Sequence, residues 1–180
     1  PRQPLHRWFK TREPGMSGRS AQEWLDAYGE SHQDGLNKLI HWLCVPAIMF
    51  SLVGLLVCIP SGFLSAPLPA SLVPWGNWAT LFILASLLFY LRLSLPLAMG
   101  FIPVGSALLW GNVALKLAEA DGSPPLFYIS MAIFVLAWIG QFIGHKIEGE
   151  KPSFFEDLQF LLIGPAWLLG AIYQKLGIRY

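Results

Sequence analysis

From Leu39 to Ile59 the chain carries no Asp, Glu, Lys or Arg, and an apolar run of about 20 residues is what a helix needs to cross a bilayer. Three more runs of similar length follow. Trp78 to Leu97 contains one charge, Arg92; Leu95 to Leu115 has none and shares its border with the preceding run at Pro96; Ser123 to Gly144 is uncharged throughout. A fifth stretch, Leu158 to Tyr173, is shorter and carries Gly164-Pro165, which favours a re-entrant or interfacial helix over a full crossing. In lipid every backbone polar group must be satisfied internally, so runs of this length leave helices as the available solution. The expected fold is all-α: a polytopic membrane bundle of four spans plus that fifth helix.

Composition agrees. Apolar residues make up 54% of the 180 against 13% charged, with mean hydropathy +0.52, too much apolar surface for one soluble domain to bury. Arg2, Arg7, Lys10, Arg12 and Arg19 crowd the start, but no basic face with interleaved aromatics follows, which argues against a nucleic-acid partner. Residues 1–18 are set aside as a basic, poorly ordered tail ahead of one helical membrane domain, residues 19–180. A polar stretch follows the basic start, so no signal peptide is read there. Cys44 and Cys58 fall in one apolar run, about 21 Å apart on a helix, too far to bridge; both read as small apolar residues.

Loop charge sets orientation. The basic start, Lys146, Lys151, Lys175 and Arg179 belong on the cytoplasmic side under the positive-inside rule, opposite the uncharged Pro60–Pro74 loop. Trp42, Trp75 and Trp78 sit near expected span ends, where amphipathic rings favour the interface. Short loops without a sorting signal point to a bacterial inner membrane before the endoplasmic reticulum. Four crossings return the chain to its starting side. The segment before the first span, with His32 and His41, then shares a face with the segment after the fourth, with His145.

His6 lies in the tail, so those three are the remaining histidines. Gln141, His145 and Glu148 are spaced i+4 and i+3 and share one helix face, as do Asn37 and His41. His32 and His41 are nine residues apart, which on one straight helix sets them about 180° apart. A shared ion therefore requires a break between them. Asp34-Gly35 is the expected place, with a new helix from Leu36 or Asn37.

Imidazoles suit iron, zinc and copper, and histidines with a carboxylate and open positions suit non-haem Fe(II) oxygen chemistry. His32, His41 and His145 are the expected metal ligands. Glu148 is either a ligand or an orienting partner, and Tyr28, Asn37 and Gln141 support the imidazoles. Taken singly, an interfacial histidine is more often a satisfied polar contact. Arg92 reads either as a side chain snorkelling to the interface or as an anchor for a substrate carboxylate, with Lys146 a weaker candidate of that kind. Asp26, Glu30 and Asp34 read as caps or solvated charges, Glu119 and Asp121 as solvated charges on the far side, and Glu156 and Asp157 as a helix start.

These two clusters, Tyr28…His32…Asn37…His41 followed by Pro46, and Gln141-Phe-Ile-Gly-His145-x-x-Glu148 followed by Pro152, resemble the 2-hydroxy fatty acid dioxygenase family of fatty-acid alpha-oxidation. The resemblance covers roughly Ala21 to Trp167. Two departures are small-for-small: Cys44 where the family pattern has glycine, and Ser153 where alanine is usual.

The resemblance implies an Fe2+-dependent membrane enzyme whose partners are a long-chain 2-hydroxy fatty acid, O2 and membrane lipid; oligomeric state stays open. R–CHOH–COOH + O2 → R–COOH + CO2 + H2O balances, and the substrate supplies all four electrons. No external reductant or 2-oxoglutarate is required, in keeping with a chain that has no glycine-rich nucleotide fingerprint. On this view the 2-hydroxyl and carboxylate chelate the iron, Arg92 or Lys146 neutralises the carboxylate, and Glu148 holds His145 or shuttles a proton. The alternatives are a non-catalytic membrane protein with a structural zinc site, a small transporter, and a di-iron enzyme using Asp34 or Glu30 with Glu148.

Overall fold

The structure, a computed structural model, describes residues 20–149 and 160–179, and among these every regular element is helical. The elements are α1 (Ala21–Glu30), α2 (Gly35–Cys58), α3 (Gly62–Ser65), α4 (Trp78–Leu93), α5 (Leu95–Ala118), α6 (Leu126–Glu148) and α7 (Phe160–Leu176), with short 3-10 turns after α3 and α5. The tail, Pro152, Ser153, Glu156 and Asp157 lie outside the described residues.

Three segments are long and apolar enough to cross a membrane: Gly35–Cys58, Leu95–Asp121 and Leu126–Glu148. At most a third of each apolar window is buried by other protein, which leaves wide apolar faces such as Leu136, Ile139 and Ile143 on α6. The expected second span is shorter than its hydropathy suggests. α4 has 16 residues, about 24 Å at ~1.5 Å each, against a core of about 30 Å. It stops because Ser94 turns extended and Pro96 starts α5 in its first turn, where a missing N–H costs nothing.

α7 departs from the expected break at Gly164-Pro165. It is one continuous helix with Pro165 inside it, which rules out a hairpin folded at that dipeptide. Pro165 has no N–H to give the Leu161 carbonyl, and the next carbonyl, that of Leu162, accepts the Tyr90 hydroxyl at 2.7 Å. The Tyr173 hydroxyl donates from α7 to the Pro96 carbonyl on α5, 2.7 Å away. Together with Asn112, which donates from α5 to the Phe50 carbonyl on α2 at 3.1 Å, these bonds tie apolar helices together. Each is worth about 0.6 kcal/mol in an apolar setting.

α2 and α6 form the central antiparallel pair. Cys44 abuts Gly140, and Gly54 lies so near Ser130 and Asn112 that a Cβ would collide with both. α7 packs across α1, α2 and α5. Tyr90 and Phe101 fill the α4–α5 contact with ring centroids 4.5 Å apart. At the far side Glu119 is more than a solvated charge: besides pairing with Lys116 at 2.8 Å, it accepts the Leu126 N–H at 2.7 Å and so caps α6.

Candidate metal centre

α1 ends at Glu30, and three residues, Ser31 to Gln33, separate it from Asp34, the cap of α2. Its start is fixed by a capping box between Ser20 and Glu23. α2 then begins at Gly35, one residue before the expected start. The break lies at Ser31–Asp34 and owes nothing to an unusual glycine: Gly35 has no positive φ. Asp34 makes the start, its carboxylate accepting the N–H groups of Leu36 (2.8 Å) and Asn37 (3.0 Å).

The break turns His32 back over the first turns of α2, and α6 delivers His145 from the other side. One nitrogen from each of His32, His41 and His145 falls in a group spanning no more than 4.8 Å. Ring centroids lie 4.1 Å (His32–His41), 4.9 Å (His41–His145) and 5.0 Å (His32–His145) apart, all near-perpendicular. All three side chains are buried.

Hydrogen bonding sets the tautomers. His32 Nδ1 lies 2.6 Å from the Tyr28 carbonyl and His41 Nδ1 2.9 Å from the Asn37 carbonyl. A carbonyl can only accept, so each Nδ1 carries the proton and each Nε2 keeps a free lone pair. Those two Nε2 atoms and Nδ1 of His145 are buried without a hydrogen-bond partner. Orphaned polar atoms cost about 1–3 kcal/mol each, and three converging ones fit a cation. Backbone carbonyls that orient metal-binding imidazoles are the usual supporting arrangement. The pKa of His32 is lowered to about 3, first by burial and next by the neighbouring His41 ring, so the ring stays neutral and ligand-ready.

The surrounding residues hold this geometry. Tyr28 stacks on His32, centroids 4.2 Å apart and planes 13° from parallel. Gln141 is buried one turn before His145. Glu148 bonds elsewhere than His145. Its carboxylate accepts the N–H groups of Gln33 (2.7 Å) and Asp34 (2.9 Å) and the Asn37 side-chain amide (2.9 Å), so it clasps the α1–α2 loop to the end of α6. Asp34 is committed to its cap, and no carboxylate joins the histidine group among the described residues. Lys146 and Arg92 are both exposed, and none of the contacts at the triad involves either.

A family profile described as 2-hydroxy-palmitic acid dioxygenase Mpo1-like matches residues 18–176. The chain belongs to the Mpo1-like family. A relative from Saccharomyces cerevisiae, named 2-hydroxy-palmitic acid dioxygenase MPO1, is 31% identical over 155 residues, covering 85% of this chain and 79% of the yeast protein. No solved structure matches.

The Mpo1-like match takes in all three histidines and every helix described above. Two contributors to the site were not singled out from the sequence. Gly140-Gln-Phe-Ile-Gly144 is a G-x-x-x-G motif in an apolar helix, a readable sign of close helix contact. A Cβ on Gly144 would strike the Asn37 side-chain oxygen, and one on Gly140 would lie 2.6 Å from the Cys44 sulfur. Without those glycines α2 and α6 could not bring His41 and His145 together. Trp167 is the other, its ring 5.6 Å from both Tyr28 and His32; no local pattern marks it. Cys44 is accommodated because it faces Gly140.

Proposed function

We propose that this protein is an Fe2+-dependent dioxygenase that converts a long-chain 2-hydroxy fatty acid and O2 to the one-carbon-shorter fatty acid and CO2. The observation that carries the reading is the buried triad of unpartnered imidazole nitrogens, in a chain whose family and yeast relative are named for 2-hydroxy-palmitic acid dioxygenation. Imidazole donors alone suit iron, zinc or copper. Oxidative removal of a carbon needs a metal that exchanges electrons, which zinc does not do, and the reaction supports iron among the rest.

His32, His41 and His145 would hold the metal, which when bound supplies the redox and Lewis-acid chemistry of oxygen activation. Three protein ligands leave positions free for substrate. The Tyr28 and Asn37 carbonyls keep the proton on Nδ1 of His32 and His41 and so keep Nε2 available. The Tyr28 and Trp167 rings wall the His32 side, restricting water. Glu148 serves as a positioning residue for the loop that carries His32, in place of a proton shuttle at His145. Arg92 and Lys146 are exposed and make no contact at the triad, so the bound metal would supply the positive charge that faces the substrate carboxylate.

Topologically, α2, α4, α5 and α6 make four crossings, with α4 tilted least or the bilayer thinned around it, and the triad faces the cytoplasm. α7 is the fifth, interfacial helix, and residues 19–180 form one membrane domain. The test is product analysis: purified protein with Fe2+, O2 and 2-hydroxypalmitate should release CO2 and the shortened acid in equal amounts. His32→Ala, His41→Ala and His145→Ala should each abolish this while the protein remains folded. Near-normal turnover in any one of them would remove that histidine from the site.

A further inference from the structure

An almost entirely apolar groove of about 190 Å³ runs between α2, α5 and α7, lined among others by Val45 and Met49 from α2, Phe101 and Val104 from α5, and Leu168 and Ile172 from α7. Its nearer end, at Val45, lies one helical turn from the metal centre. Val45 follows His41 by one helical turn on the same face, and Met49 by two, about 12 Å along the axis. Tyr28, the residue stacked on His32, and Val45 both lie within 3.7 Å of the position a Cβ would take on Gly164, whose neighbour Pro165 also lines the groove.

We infer that this groove is the seat of the substrate's acyl tail and that Met49 and Val104 set chain-length preference. The inference rests on the proposed dioxygenase reading and adds where the tail lies. A headgroup held at the triad places its first methylenes beside Val45, and the lining offers them almost entirely apolar contact. The groove is smaller than the roughly 300 Å³ at which whole-ligand pockets begin and is open along one side. It therefore takes the part of the tail nearest the headgroup, and the remainder passes out among lipid chains. Drawn from lipid rather than water, the tail gains by close packing against the lining, which favours longer acids until the groove is filled.

The test fills the groove from two sides. Met49→Trp and Val104→Trp should each lower the kcat/KM ratio of 2-hydroxypalmitate to 2-hydroxyoctanoate at least tenfold. Leu136→Trp, on the exposed face of α6, should leave that ratio unchanged. A ratio unaltered in both folded groove variants overturns the inference. Independently of turnover, a 2-hydroxypalmitate analogue bearing a diazirine near the headgroup end of its tail should label residues of α2, α5 and α7. Labelling confined to α4 or α6 overturns the inference, as does labelling of the groove by a photoreactive phosphatidylcholine that 2-hydroxypalmitate fails to displace. Absence of turnover with acids of every length would defeat the dioxygenase reading, and the labelling pattern would then decide the groove by itself.

Discussion

The Asn37 side-chain amide donates to the Glu148 carboxylate at 2.9 Å, joining the first turn of α2 to the last turn of α6. The same carboxylate holds the backbone of Gln33 and Asp34, so one acidic side chain fixes the placement of His32, His41 and His145 relative to each other. Glu148→Ala should weaken metal binding about 10–100-fold, with turnover partly restored by excess Fe2+. Anaerobic titration of Fe2+ checks this. Unchanged metal affinity with turnover lost at every metal concentration would instead assign Glu148 a proton-transfer role.

Gly144→Ala pushes a methyl group into the Asn37 side chain and should separate α2 from α6, costing about 1–3 kcal/mol along with metal affinity. Gly140→Ala should do the same against Cys44, and the pair Cys44→Gly with Gly140→Ala should recover most of the loss, because the volume is exchanged across the contact. Thermal melting and metal binding of the single and double variants test this. Independent, additive losses would contradict the packing account.

Asp34→Ala removes the cap of α2 and should cost about 1 kcal/mol. Asp34→Ser, which keeps an acceptor oxygen, should recover most of it. Equal melting temperatures for wild type and Asp34→Ala would contradict the assigned cap.

His32 sits in the loop before α2, with its pKa lowered to about 3 by burial, against about 6.5 in an unfolded chain. The neutral ring thus contributes stability that is fully present above about pH 6.5 and declines as pH falls toward 3, where the unfolded chain takes up a proton that the folded site refuses. Metal-free protein in detergent should melt at progressively lower temperature through that window, and His32→Phe should lessen the slope. Identical slopes for the two proteins would contradict a buried neutral His32.

How much of this was readable in the chain varies with the kind of constraint involved. The nine-residue gap between His32 and His41 demands a break on helical geometry alone, and counting crossings places His145 with them. The glycine freedom that an Asp-Gly pair suggests plays no part in the break, whereas the capping role open to Asp34 is the one the folded loop uses. The length of α4 was overread because hydropathy runs smoothly across Ser94. Gly164-Pro165 reads as an interruption of the fifth stretch, yet α7 runs through it, held by the Tyr90 hydroxyl and its packing on α1. Long-range partners are the least legible. Glu148 shares a helix face with His145, and nothing in that spacing says its oxygens turn to the α1–α2 loop.

Metal content and oxygen uptake, measured together on detergent-purified protein, test the central claim most directly. The account predicts about one iron per chain, oxygen uptake dependent on 2-hydroxypalmitate, and loss of both in His145→Ala. Stoichiometric zinc without oxygen uptake, or no metal retained by folded wild-type protein, would contradict it.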